Sequence, residues 1–231
     1  MYEGVHADPD GDSTVARMAL TASEYGYEGI VVRNHGDAVP TYDPEKIRDE
    51  YGIDVVEGVE IRADDPSRAS GFVGNHRESK TVVVVHGGDV SINRFAVEQP
   101  AVDVLAHPMI GDGDFNHVLA KAAARNGVHV ELSLDRVLRT DGGARVQALR
   151  DLRKLRELLA DAGAPFVVSA DPSSHLQIRS PRDLRALGSV LGFDDGIVES
   201  GLRAWRNLAE RNRRRARNSF VEPGVWIDDE N

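Results

Sequence analysis

Short runs of consecutive apolar residues alternate along the chain with segments whose apolar positions recur every three or four residues. The runs suit strands covered on both faces, and the periodic segments suit helices packed over them. Their alternation is the pattern of β/α units around a parallel sheet. Strands are expected at residues 2–7, 29–33, 54–61, 81–86, 102–107, 128–133 and 166–170. Helices are expected at 14–25, 44–51, 116–126, 145–162, 181–191 and 197–217. Seven strands with helices between them favour closure over an open sheet. The expected fold class is therefore α/β: an irregular TIM-like β/α barrel, mostly parallel strands with outer helices. The organisation that follows is a single barrel domain over 1–217 and an acidic C-terminal tail over 218–231, frayed at its end.

The segment 145–162 has a helical period and a defined stop. Val146, Leu149, Leu152, Leu155 and Leu159 form one apolar stripe, and Gly163 and Pro165 then stop the helix. Residues 63–80 lack periodicity and contain Pro66, Gly71 and Gly74, which predicts a loop of mixed charge. Gly87-Gly88-Asp89 follows the fourth strand, but no Lys-Ser/Thr completes a phosphate loop. A tight turn with Asp89 or Ser91 capping a helix is the simpler expectation.

Composition narrows the class. The chain has no cysteine, which excludes disulfides, thiolate metal sites and cysteine nucleophiles. The first ten residues carry Glu3, Asp8 and Asp10, and no apolar stretch approaches the ~20 residues needed to cross a bilayer, so a cytoplasmic protein with no membrane contact is expected. Acidic residues number 38 against 28 basic ones, a formal net charge of −10, and only Lys46, Lys80, Lys121 and Lys154 are lysine. An Asp-rich, Lys-poor surface suits high salt, where carboxylates stay hydrated and their repulsion is screened, so a halophilic source is expected.

Net charge alone argues against nucleic-acid binding, yet residues 203–217 reverse the sign, with seven arginines against Glu210. On a helix, Leu202, Trp205, Leu208 and Ala209 form the inward stripe. Arg203, Arg206, Arg213, Arg214 and Arg217 then lie close together outside, a candidate RNA or partner contact. The same arginines also complement the helix dipole.

Residues able to do chemistry recur at equivalent places. His6, His35, Glu60, His86, His107, Glu131, and Asp171 with His175, each fall at or near the C-terminal end of an expected strand. In a β/α barrel those ends converge on one face, where barrel enzymes keep their active sites. Imidazoles and carboxylates meeting there suit divalent ions such as manganese or zinc.

Several segments carry a resemblance. Gly58-Val59-Glu60-Ile61, His107-Pro108, Val130-Glu131-Leu132, and Ser169-Ala170-Asp171 through His175 resemble the polymerase-and-histidinol-phosphatase superfamily, as do Val5-His6, Asp10-Gly11, Ser13 and the strand ending at Asn34-His35. That resemblance implies a seven-fold β/α barrel and metal-dependent phosphoester hydrolysis. Within that superfamily, the block at 81–106, the Tyr25-Gly26-Tyr27 helix end, Arg33-Asn34-His35 and His107-Pro108 are similar to the ribonuclease P protein component 3 family, over roughly 1–217.

Three departures separate the chain from the phosphoesterases. Gly4 stands where they have a first histidine, Asn34 where they have an aspartate, and Asp171 and His175 are four apart instead of two. The ligand set is then vestigial and no residue of the chain is assigned as catalytic. What the closer resemblance implies is a protein subunit of a ribonucleoprotein endonuclease that removes 5′ leaders from precursor tRNA. In that particle ribonuclease P RNA performs the hydrolysis with magnesium, no cofactor is tightly bound to this chain, and ribonuclease P protein component 2 is its protein partner. The alternative is a free-standing metal-dependent phosphoesterase.

Overall fold

The computed structural model describes residues 1–194 and 196–216, together with two short backbone strands beyond them. Seven strands form one parallel sheet in sequence order: β1 (Tyr2–Val5), β2 (Gly29–Val32), β3 (Asp54–Ile61), β4 (Val82–His86), β5 (Val104–Ala106), β6 (His129–Ser133) and β7 (Phe166–Ser169). The helices are α1 (Val15–Glu24), α2 (Pro44–Tyr51), α3 (Pro66–Arg77), α4 (Val90–Glu98), α5 (His117–Asn126), α6 (Asp135–Arg139), α7 (Gly142–Ala162), α8 (Pro181–Leu191) and α9 (Ile197–Arg215). β8 (Phe220–Glu222) and β9 (Val225–Trp226) pair antiparallel; the rest of the 218–231 tail and all its side chains lie outside the described residues.

Strand alternation sorts the core into two shells. Ile30, Val32, Val55, Val83, Val85, Leu105, Val130 and Leu132 face the surrounding helices. Tyr2, Val31, Val56, Val82, Val84, Val104, Ala106 and Val167 point inward and fill the barrel. Both sides of β2, β4 and β5 are almost wholly buried, which explains the unbroken valine runs.

The barrel is nearly closed, and two devices complete it. No backbone ladder joins β1 to β7 among the described residues; the buried Glu3 side chain bridges the seam. It accepts from Ser169 Oγ at 2.5 Å, from the Ala170 amide at 3.2 Å and from Tyr27 Oη at 3.2 Å. Just beyond, the His6 amide donates to the Pro172 carbonyl at 3.0 Å. The second device is α9, which corks the N-terminal mouth. Trp205, Leu208 and Ala209 join the inward cluster, and Trp205 Nε1 donates to the Val168 carbonyl at 3.0 Å. Asn212 donates to the Thr81 carbonyl and to Asp103, ahead of β4 and β5, and Arg213 holds Asp54 at the start of β3. Gly201 is needed for this approach, because a Cβ there would lie 2.4 Å from Val168 Cγ2.

Two expectations change. Residues 63–80 hold α3, not a loop: Asp65 caps it by accepting from the Arg68 amide, and Pro66 occupies its first turn. Only Ala69 and Val73 are buried on it, and Gly71 and Gly74 dilute the period further. On α7 the buried stripe is Ala148, Leu152, Leu155 and Leu159, while Val146 is exposed. Asp89, one of the two expected caps, starts α4, a helix whose bounds the sequence did not give.

Candidate functional site

The inward alternation that places Tyr2, Val31, Val56, Val84 and Val167 inside also delivers His6, Arg33, Glu60, His86 and Asp171 to the C-terminal mouth. His35, His107 and Glu131 complete the cluster. Seven of the eight strand-end residues therefore meet. His175 stands apart on a short 3-10 turn, 2.8 Å from Ser13 Oγ. Two further members, Asp10 in the loop after β1 and Arg33, carry the family resemblance in the sequence but were not among the candidate site residues.

Arg33 is the centre. It is fully buried and donates from Nε to Glu60 Oε2 at 2.8 Å and from Nη2 to the same oxygen at 2.5 Å. Nη1 binds Glu131 Oε1, and Asp171 Oδ1 lies 3.9 Å away. Glu60 Oε1 turns the other way, 2.5 Å from His86 Nδ1 and 3.6 Å from His35 Nε2. Asp10 anchors two imidazoles, with His6 Nδ1 at 2.7 Å and His35 Nδ1 at 2.8 Å. His6 Nε2 is 3.3 Å from Asp171 Oδ1, and His107 Nε2 is 3.1 Å from Asp171 Oδ2. His107 and Asp171 both hold left-handed backbone, with φ of 50° and 49°, a strain the surrounding contacts sustain. Asn34 is structural: its amide accepts from the Ala7 N–H and donates to the Ala7 and Ala38 carbonyls, donations an aspartate could not make.

Charges in the cluster are mutually compensated. Burial disfavours the charged His6 ring, but hydrogen bonds with Asp10, Asp171 and Glu60 outweigh it and lift the pKa to about 11. For His107 burial again opposes charge, while Asp171 and the nearby Glu131 carboxylate raise it to about 9. Burial dominates at His86 and lowers it despite Glu60. Burial resists ionisation of Glu60 and Asp171 too, yet Arg33 and the imidazoles hold both well below the usual carboxylate range. At the seam, burial pushes Glu3 up to about 7.

These residues do not fit a multinuclear metal centre. Two triads, His6–Asp10–His35 and His35–Glu60–His86, have ligand atoms within 4.8 Å of one another. The inner oxygens of Glu60 and Glu131, however, already accept from the guanidinium, and His6 faces a carboxylate through each ring nitrogen. An imidazolium offers no lone pair to an ion. No hydrolytic step is derived from this cluster.

The basic helix lies at the opposite end of the barrel. Arg203 pairs with Glu199, Arg206 with Glu28 and Glu210, and Arg214 donates to the Glu210 carbonyl, all at exposed positions. Arg213 differs: it holds Asp54 through two nitrogens, at 2.6 and 3.1 Å. Arg217 lies outside the described residues. A cleft of about 630 Å³ beside α9 adds Arg77, Lys80 and Arg215 to the basic surface, and it also contains Glu78 and Asp103.

Fold and site together define a TIM-like parallel β/α barrel with an arginine at the centre of its carboxylates. The histidinol phosphate phosphatase of Lactococcus lactis, solved with zinc, L-histidinol and phosphate, shares the fold at a TM-score of 0.55 and 14% identity, over 84% of this chain and 94% of that one. The particular family is narrower: the model of the family described as RNase P subunit p30 matches residues 2–217, and the chain belongs to that family. It is 65% identical over 230 residues to ribonuclease P protein component 3 of Haloarcula marismortui, covering 100% of this chain and 98% of that protein. A chain in a cryo-EM structure of archaeal ribonuclease P with mature tRNA superimposes at a TM-score of 0.84 and 25% identity, over 100% of this chain and 99% of that one. The halophilic relatives agree with the Asp-rich, Lys-poor composition, and the free-standing phosphoesterase is not favoured. No helix among the described residues is long and apolar enough to cross a membrane.

Proposed function

We propose that the chain is a cytoplasmic protein subunit of an archaeal ribonuclease P, in which the RNA cleaves 5′ leaders from precursor tRNA with magnesium and this barrel acts as a scaffold. The observation that carries the reading is the identity of 65% to a ribonuclease P protein component 3 across the whole chain. The site's chemistry supports it, because Arg33 and His6 already take up carboxylate oxygens that a multinuclear metal centre would need.

Arg203, Arg206, Arg213, Arg214 and Arg217 are the proposed contacts with ribonuclease P RNA or a protein partner. Guanidinium forks bind phosphate or carboxylate through two parallel hydrogen bonds. The pairs of Arg203 and Arg206 are exposed and screened by solvent, so exchange onto phosphate is inexpensive. High salt weakens purely electrostatic RNA contacts, so protein–protein contact with ribonuclease P protein component 2 carries much of the assembly.

Mixing the chain with ribonuclease P RNA and component 2 at high salt tests this reading. Co-elution in one particle that processes precursor tRNA is expected. A chain that stays free while the other components assemble and cleave contradicts it.

A further inference from the structure

An arginine inside a ring of carboxylates is costly to bury, and the neighbourhood of Arg33 is built to keep it there. We propose that Arg33 is the barrel's resident cation: its guanidinium takes the place of the divalent ions implied by the phosphoesterase resemblance, and its removal converts the Glu60–Glu131–Asp171 cage into a divalent-cation site.

Four observations support this. Arg33, Glu60 and Glu131 have no side-chain exposure and Asp171 very little, so the carboxylates need a counter-ion inside the protein. The guanidinium supplies one that cannot lose its proton and whose planar donors reach both glutamates at once. The space it uses is the space of the missing ligand: a Cβ at Gly4 would lie 3.0 Å from Arg33 Cδ and 3.3 Å from Trp205 Cζ2. A side chain at position 4 would press on the Arg33 stem and on Trp205, so Arg33 uses room that a histidine there would need. Finally, Trp205 supports the cation from below, its ring centroid 5.6 Å from Cζ. The helix that corks the far end therefore also seats the charge.

The exchange has a chemical consequence. A divalent ion polarises phosphoryl oxygens and acidifies bound water, whereas a guanidinium does neither with comparable strength. The cage keeps its electrostatic balance and loses its Lewis acid. This holds independently of RNA or partner contacts, so its test needs neither.

The full chain and its Arg33→Ala, Arg33→Lys and Arg33→Ala/Glu131→Gln variants would be stripped with EDTA at high salt, then titrated with manganese or zinc by calorimetry and melted with and without ion. Arg33→Ala is expected to bind roughly one more ion per chain than the wild type and to recover a depressed melting temperature when the ion is added. Glu131→Gln added to it should remove that extra ion. Arg33→Lys keeps a cation in the cage, so it should fold without metal and gain none. The proposal is overturned if Arg33→Ala binds no more ion than the wild type, or stays unfolded in manganese and in zinc. It is also overturned if Arg33→Lys gains the ion as readily as Arg33→Ala.

Discussion

Replacing Trp205 with alanine removes the largest side chain from the inward core. The indole is fully buried among Tyr2, Val31, Val56 and Val167, spans towards Arg33, and satisfies the Val168 carbonyl through Nε1. Truncating a buried tryptophan to alanine costs about 3–5 kcal/mol, and a buried carbonyl deprived of its donor adds about 1–3 kcal/mol where water cannot reach it. The two contributions overlap, so a loss of about 4–6 kcal/mol is expected, out of a typical total of about 5–15 kcal/mol. At about 2–4 °C per kcal/mol for a chain this long, the melting temperature should fall by about 10–20 °C. Trp205→Phe keeps most of the ring and forfeits the N–H, so it should cost only about 1–2 kcal/mol. Both are read by urea or thermal unfolding at constant high salt. If Trp205→Ala unfolds within about 1 kcal/mol of the wild type, α9 does not cork the barrel in the way described.

Further consequences are open to measurement. Gly4→Ala should destabilise the wild type by about 1–3 kcal/mol through overpacking and should cost clearly less in an Arg33→Ala background; equal costs would mean Arg33 does not occupy that space. Arg213→Ala should cost about 1–3 kcal/mol because Asp54 is left part-buried without its bidentate partner, whereas exposed Arg214→Ala should stay within about 0.5 kcal/mol. His107 is raised from 6.5 to about 9, so between those values the folded chain holds a proton the unfolded chain has released. Its contribution is complete below pH 6.5 and lost as pH rises through about 9, and unfolding curves of His107→Gln should show a shallower decline over that window. Glu3, raised from 4.5 to about 7, likewise favours the fold most below 4.5 and loses that contribution by about pH 7; Glu3→Gln should flatten the 4.5–7 limb.

How much of this was legible in the sequence depends on what each element advertises. Valine runs such as Val82–His86 and the Gly163 stop of α7 announce the barrel plainly, because their signals are local. α3 hides because its buried face is only Ala69 and Val73. The strand-end histidines and carboxylates were visible as ligand types, and seven of eight converge as expected. Arg33 carried the resemblance but not a site role, because arginine at a strand end normally signals solvent. Its clue was alternation: Val31 faces inward, so the residue two further on points into the same space, directly at Glu60. Gly4 read as a lost ligand, and only three-dimensional contact shows what took its room. Trp205 and its stripe were legible as an inward helix face; that the face fills a barrel mouth is a long-range fact no local pattern carries.

On the proposed reading the barrel supports an RNA enzyme and leaves the hydrolysis to the RNA. A magnesium titration of precursor-tRNA cleavage by ribonuclease P RNA, with and without this chain and component 2, tests it most directly. The proteins should shift the titration midpoint to lower magnesium, and the chain without RNA should cleave nothing. An unmoved midpoint, or 5′-leader removal by the chain alone, contradicts it.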